Sequence, residues 1–402
     1  MRVLIADKLP ATAITDLENA GLEVSCQPGL KEASLAEALS STPYQALVVR
    51  STKVNAAMLA NSKLGLVVRA GAGVNTIDVS AASEHGIFVA NCPGRNSLAV
   101  AELAIGLLIG VDRRIPDATA DLRAGRWRKA EYSKAGGLAG RTLVVVGAGR
   151  IGLEVARRAR ALEMKVLAWN VVPEPRAELE SMGAELVVDL HQALKQADAV
   201  SLHLAAVPAT RNFADHKFFA ALKDGCYFIN TSRAEVVDQQ ALQQAIEERG
   251  LRAGLDVFDG EISGGEGEVS DGLLALPGVI ATPHIGASTQ QAQEAVADEA
   301  VRLVLEFSRT GRVLGVNEAQ QQGPGHLLVV RHRNEVGVLA LVFSALRDLG
   351  INVAETENLV FSGGSTCLAR MTVDRIPDPE ILTALSRDSE AILSIETFSG
   401  GA

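Results

Sequence analysis

Short apolar runs alternate with amphipathic stretches along the first three quarters of the chain. Val3–Ala6, Ala46–Arg50, Val67–Ala70 and Phe88–Ala90 read as strands, with helical patterns at Ala11–Ala20 and Ser34–Leu39 between them. That rhythm predicts a parallel sheet covered by helices. A longer helix is expected from about Ser97 to Arg114, opened by Asn96-Ser97 and carrying Leu98, Ala101, Ile105 and Leu108 on one face, with Pro116 shortly after. The alternation restarts at Thr142-Leu143-Val144-Val145-Val146-Gly147 and predicts further strands at Val166–Trp169, Ala199–Leu204, Tyr227–Asn230, Gly254–Val257 and Val279–Thr282.

A helix is then predicted over Gln290–Ser308. The polar stretch 318–325, which includes Gly323-Pro324-Gly325, reads as a linker. Beyond it the pattern changes. Strands at His326–Arg331, Ile351–Val360, Thr366–Val373 and Ile392–Thr397, with helices at Gly337–Asp348 and Pro379–Ser386, give the order βαββαβ. The expected fold class is therefore α/β, with two Rossmann-like doubly wound parallel-sheet domains and a small C-terminal βαββαβ domain. Residues 1–95 and 285–317 form a discontinuous first domain in this reading, 96–284 the second and 326–402 the third.

Composition narrows the function. The 402 residues are 48% hydrophobic but only 4% aromatic, so the core is built from small aliphatic side chains. A net charge of −10 argues against nucleic acid or an anionic membrane as partner. Cys26, Cys92, Cys226 and Cys367 lie far apart and suggest neither a disulfide framework nor a zinc site; no metal is expected. The longest apolar stretch, Leu103–Val111, is too short to cross a membrane, and no targeting segment is evident, so a cytoplasmic location is expected.

Gly147-Ala148-Gly149-Arg150-Ile151-Gly152 follows an apolar strand and opens a helix with Ile151, Val155, Ala159 and Leu162 on one face. Gly147 suits the tight turn, Gly149 a close approach to a pyrophosphate, and Gly152 the packing of helix on strand. The next strand ends in Asn170 rather than an acid. Asn can bond a ribose hydroxyl but lacks the charge that repels a 2′-phosphate. No arginine follows directly to hold such a phosphate, so NAD is the expected cofactor and NADP is less firmly excluded than usual.

Three segments place polar residues just beyond strands: Asn230-Thr231-Ser232-Arg233, Asp256-Val257-Phe258-Asp259-Gly260-Glu261 and Thr282-Pro283-His284-Ile285-Gly286-Ala287-Ser288. Imidazole titrates in the range that proton transfer near neutral pH needs. Glu261 beside His284 would orient the ring and raise its pKa, and Arg233 would fork a carboxylate. Arg69-Ala70-Gly71-Ala72-Gly73-Val74, Val49-Arg50-Ser51 and Asn96-Ser97-Leu98-Ala99-Val100-Ala101-Glu102 accompany them.

In combination and order these segments resemble the D-isomer-specific 2-hydroxyacid dehydrogenases over almost the whole chain. The resemblance implies Arg233, Glu261 and His284 as catalytic residues. It also implies a cofactor site that, besides the glycine-rich turn, takes in Leu204, Pro208, Thr231, Ser232, Gly286 and Ala287, with Asp256 near the nicotinamide amide. Arg50, Ala72, Gly73 and Asn96 are the expected substrate contacts. The implied reaction is oxidation of 3-phosphoglycerate at the start of serine biosynthesis. A glyoxylate or hydroxypyruvate reductase is the alternative enzyme, and a non-catalytic NAD sensor the alternative of another class.

Several positions depart from the family pattern: Ala234-Glu235 after the arginine, Ile262 and the insertion 263–267 after the glutamate, Ala72 where Thr is common, and a loop at Val49–Lys53 that is one residue short. The basic run Arg126-Trp127-Arg128-Lys129 either reaches a phosphate or decorates a dimer arm, and the interface role is favoured for most of it. His332-Arg333-Asn334-Glu335-Val336-Gly337 and Gly350-Ile351-Asn352-Val353 resemble an ACT domain. That resemblance implies a serine effector at His332, Asn334 and Asn352 and a homodimer or homotetramer.

Overall fold

The computed structural model describes residues 1–171, 176–262, 266–269, 272–318, 326–387 and 389–398. Met1–Asn317 form one compact unit and Glu318–Ala402 a second. All but the first residue of the expected linker 318–325, and residues 263–265 of the insertion, lie outside the described residues.

The first unit holds two parallel sheets. Strands β1 (Arg2–Ile5), β2 (Glu23–Cys26), β3 (Ala46–Val49), β4 (Leu66–Arg69) and β5 (Phe88–Asn91) lie in the order β2-β1-β3-β4-β5. Strands β6 (Thr142–Val146), β7 (Lys165–Trp169), β8 (Glu185–Leu186), β9 (Ala199–Leu202), β10 (Tyr227–Asn230), β11 (Arg252–Leu255) and β12 (Val279–Ala281) lie in the order β12-β11-β10-β9-β6-β7-β8. The central strands are buried on both faces and therefore read as unbroken aliphatic runs. Strand order reverses between β6 and β9, which opens a crevice at their C-terminal ends.

Two helices fix which sheet each segment serves. Ser97–Arg113 packs Ala101, Ala104, Leu108 and Val111 with Leu143 and Val145 of the second sheet. The last helix of the unit, Gln290–Thr310, returns to the first sheet and packs Ala297, Ala300 and Val304 with Val3, Val48 and Val68. Its Thr289 side chain caps the helix through the Ala292 amide, and Gly311 ends it in the left-handed region.

Three local readings differ from the sequence expectation. β2 has the mixed sequence Glu23-Val24-Ser25-Cys26; as an edge strand it needs little apolar surface, and Arg2 braces it by an ion pair to Glu23 at 2.7 Å. The strand expected at Gly254–Val257 runs from Arg252 to Leu255, which leaves Asp256 free to bond a neighbouring loop. Pro116 does not simply follow the long helix. Arg114 breaks that helix with a φ of 52°, and Pro116 lies in the first turn of a new one, Ile115–Arg123, where a missing N–H costs nothing.

The second unit is one antiparallel sheet, with β13 (His326–Arg333), β14 (Val353–Val360), β15 (Thr366–Val373) and β16 (Ile392–Phe398) in the order β14-β15-β13-β16. Helices Val338–Asp348 and Pro379–Arg387 complete the βαββαβ order, and Val338, Val342 and Leu346 pack with Leu328, Val330, Ala369 and Met371.

No helix among the described residues is long and apolar enough to cross a membrane. No cluster of His, Cys, Asp or Glu suited to a metal occurs among them. The four cysteines are free, and burial pushes Cys92 up to about 11 and Cys226 up to about 12, so both remain protonated thiols.

Asp112, 2% exposed in the long helix, accepts hydrogen bonds from the amides of Gly136 (3.1 Å) and Gly137 (3.0 Å) and from the Tyr227 hydroxyl (3.0 Å). Replacing it with Ala orphans these donors. The Asp112→Ala variant should lose about 2–4 kcal/mol in urea unfolding of the first unit, whereas a change below about 0.5 kcal/mol would show the cluster to be energetically idle.

Candidate active site

The glycine-rich turn sits at the end of β6 in the crevice. Gly147 has a φ of 98°, and a Cβ there would lie 2.7 Å from the His203 carbonyl oxygen; a Cβ on Gly152 would meet the Gly147 oxygen at 2.1 Å. Gly149 faces open space within 4 Å, at the start of helix Arg150–Ala161, whose N-cap makes no side-chain bond. Free amides and an uncrowded approach are what a pyrophosphate needs. Thr231, 6% exposed just after β10, has a hydroxyl with no hydrogen-bond partner, another polar atom awaiting a ligand. A dinucleotide therefore fits these residues.

The other expected cofactor contacts are more mixed. Ser232 is buried and tied to Asn230, Gly286 is buried against Asp256, and Ala287 lines the cleft. Leu204 belongs to the apolar core, Ile151 packs beside the core, and Pro208 is exposed in a short 3-10 turn. Arg150 donates from Nη1 to the Pro93 carbonyl at 2.6 Å. Asn170 follows β7, and residues 172–175 after it lie outside the described residues. His203 holds Ser201 Oγ through Nε2 at 2.8 Å, and burial pushes its pKa down to about 3, so the ring stays neutral.

His284 and Glu261 are brought together. His284 Nδ1 lies 2.6 Å from Glu261 Oε2, and Glu261 Oε1 accepts the Phe258 amide at 3.2 Å. This hydrogen bond to the carboxylate, helped by its charge, holds the imidazole pKa above the ordinary histidine value despite partial burial. His284 itself has a φ of 52°, an uncommon conformation for a residue with a side chain. Asp256 imposes it. This carboxylate, 1% exposed, accepts Thr282 Oγ1 at 2.6 Å and the amides of Ile285 and Gly286 at 2.8 Å each, while the Asp256 carbonyl takes the His284 amide at 2.9 Å. The expected nicotinamide neighbour thus also shapes the loop that carries His284.

Arg233 is set by Asn230, whose side chain accepts from Ser232 and donates to the Arg233 carbonyl at 3.1 Å. A Cβ on Gly73 would lie 3.3 Å from Arg233 Nη2, so the expected substrate loop and the arginine meet. Ala72 offers its carbonyl to the Asn91 side chain. Asn96 Oδ1 is buried without a partner beside the cleft, and Arg50 lines it.

Two adjoining recesses of about 270 and 430 Å³ share Ser51, Arg69 and His284 in their walls. The sequence reading did not select Arg69 or Asp7 as site residues. Arg69 lies over Gly71, where any Cβ would collide with its guanidinium at 1.6 Å, and its Nε has no partner. Burial, and then the charges of Arg233 and Arg50, depress its pKa. Asp7 accepts the amides of Arg50 (2.7 Å), Ser51 (3.1 Å) and Thr52 (3.1 Å), and so pins the loop that carries Arg50. The Arg–Ala–Gly run after a strand was the available signal for Arg69.

Residues 105–286 match the family model described as the NAD binding domain of D-isomer specific 2-hydroxyacid dehydrogenases. The chain is 41% identical over 262 residues to a hydroxypyruvate reductase from Thermotoga maritima, covering 64% of this chain and 83% of that protein. This chain belongs to the D-isomer specific 2-hydroxyacid dehydrogenases. A D-3-phosphoglycerate dehydrogenase from Methanocaldococcus jannaschii is 38% identical over 333 residues, 81% of this chain but 62% of that protein. Against the first three phosphoglycerate dehydrogenases matched, the chain spans 48% to 62% of their length. Among solved structures, the TT0316 protein from Thermus thermophilus superposes with a TM-score of 0.68 at 34% identity, over 78% of this chain and 98% of that one. The dehydrogenase family accounts for NAD as cofactor.

A histidine whose pKa is raised by a carboxylate must lose the shift when the carboxylate is neutralised. NMR titration should place His284 above 6.5 in the native protein and lower in Glu261→Gln. An identical titration midpoint in both would remove Glu261 from its role.

Proposed function

We propose that this chain is an NAD-dependent D-3-phosphoglycerate dehydrogenase that oxidises 3-phosphoglycerate to 3-phosphohydroxypyruvate, the first step of serine biosynthesis. The observation that carries the reading is the convergence of Arg50, Arg69 and Arg233 around a cleft that also exposes His284. Among the described residues none of the three arginines is in an ion pair, and two of them depress the pKa of the third. Three arginines gathered at one cleft suit a substrate with two anionic ends.

In this reading Arg233 forks the carboxylate and polarises the C2 oxygen, while Arg69 and Arg50 hold the rest of the anion. His284, through Nε2, takes the C2 hydroxyl proton, and Glu261 stabilises the imidazolium that results. NAD supplies the hydride acceptor. Gly147, Gly149, Arg150, Ile151 and Gly152 would cradle its pyrophosphate, Asn170 its ribose, and Thr231 with Ser232 the nicotinamide end. Residues 1–95 and 285–317 act as the substrate lobe and 96–284 as the cofactor lobe.

The hydroxypyruvate reductase match, which spans more of its partner's length than the phosphoglycerate dehydrogenase matches do, supports reduction of an unphosphorylated 2-oxo acid as the second reading.

We read residues 326–402 as an ACT domain. His332 is 3% exposed and bonds the Arg333 carbonyl at 2.7 Å, and Asn334 donates to the Gly364 carbonyl at 2.8 Å. Asn352 precedes Val353, which lies level with Val373 and His326, at the opposite end of the sheet. Six strand steps, roughly 20 Å at about 3.3 Å each, separate it from His332. A serine site using all three would therefore take Asn352 from a second copy, in a homodimer or homotetramer. The basic run fits an interface: Arg126 and Arg128 are engaged by Asp121 at 2.5 and 3.3 Å, leaving Trp127 79% exposed.

An NADH absorbance assay over a panel of 2-oxo acids tests the reading. The expected result is highest kcat/KM with 3-phosphohydroxypyruvate, lowered roughly hundredfold in Arg69→Gln. Higher kcat/KM with hydroxypyruvate or glyoxylate selects the second reading, and no turnover of any acid selects a sensor. If millimolar serine neither slows the enzyme nor raises its melting temperature, the effector site is lost.

A further inference from the structure

Strand order places a fourth cation in line with the three arginines. Arg69 ends β4 and Arg50 follows β3. Lys8 follows β1, the next strand across in the order β1-β3-β4. Parallel strands lie about 4.8 Å apart, so the row extends roughly 10 Å from Arg69 to Lys8. Lys8, Arg50 and Arg69 all line the same recess of about 270 Å³, with His284 in its wall.

The one carboxylate beside Lys8 in sequence does not neutralise it. Asp7 is taken up by the loop after β3: its oxygens accept three backbone amides and the Ser51 hydroxyl, and these donors hold its pKa low despite burial. Among the described residues Lys8 has no ion pair, and its side chain is exposed to the recess. A flexible ammonium at the end of a row of planar guanidiniums suits a group with rotating oxygens, such as a phosphate monoester dianion. The planar forks nearer His284 suit a carboxylate.

We propose that Lys8 recognises the phosphate at the far end of the substrate and so sets the preference for phosphorylated over unphosphorylated 2-hydroxy acids. This inference rests on the reading that the substrate carries a phosphate. The test compares 3-phosphohydroxypyruvate with hydroxypyruvate in wild type, Lys8→Met and Lys8→Arg, with inorganic phosphate as a competitive inhibitor of hydroxypyruvate reduction. In Lys8→Met the ratio of kcat/KM for the phosphorylated over the unphosphorylated acid should fall roughly tenfold, the size of one charged hydrogen bond, through KM rather than kcat. Inhibition by phosphate should weaken by a similar factor, and Lys8→Arg should recover most of both.

An unchanged ratio, or a loss through kcat alone, overturns the proposal. A wild-type enzyme that prefers hydroxypyruvate overturns the substrate reading instead. In that case phosphate inhibition decides: weakened in Lys8→Met it supports Lys8 as the phosphate contact, and unchanged it overturns it.

Discussion

The buried Asp256 carboxylate is the constraint on which the His284–Glu261 pair depends. A charge with 1% exposure is tolerable only when fully hydrogen-bonded. Its donors are Thr282, Ile285 and Gly286, all on the loop that carries His284. Satisfying the acid therefore fixes the loop, and the loop holds His284 at a φ of 52° with its ring against Glu261. The strain of one residue is offset by three charge-assisted bonds on its neighbours. The same carboxylate also sits behind Gly286, where a Cβ would lie 2.9 Å from its Oδ2.

Charge is distributed across the cleft on the same principle. Two carboxylates of the cleft are engaged by other groups: Asp7 caps the loop of residues 50–52, and Glu261 bonds His284 and the Phe258 amide, while Glu235 and Asp259 line the recess beside Arg233. Burial, and then the charges of Arg233 and Arg50, lower the Arg69 pKa. An overall net charge of −10 thus coexists with a cluster of arginines at one cleft.

Much of this was legible in sequence because the signals are local. Aliphatic runs located nearly every strand of the parallel sheets, and the glycine spacing located the tight turn between β6 and the helix Arg150–Ala161. His284, Glu261 and Arg233 follow strand ends, where open α/β sheets hold ligands. Contacts between distant segments were harder to read. Asp7 and Arg50 are 43 residues apart and meet only because β1 and β3 are neighbours. Arg69 reads in sequence as part of a glycine-rich loop, and only the fold lays its guanidinium over Gly71. Edge strand β2 carries no clear sequence signal because an edge needs little apolar surface, and the separation of Asn352 from His332 depends on sheet order alone.

The central claim is that one histidine, tuned by Glu261, carries the proton in both directions. The most direct measurement is the pH dependence of kcat/KM for oxidation and for reduction. Oxidation requires neutral His284, so its rate should rise through a pKa above 6.5, while reduction requires the imidazolium and should fall through the same pKa. Two profiles that bend the same way, or that bend at unrelated pH values, would contradict the account.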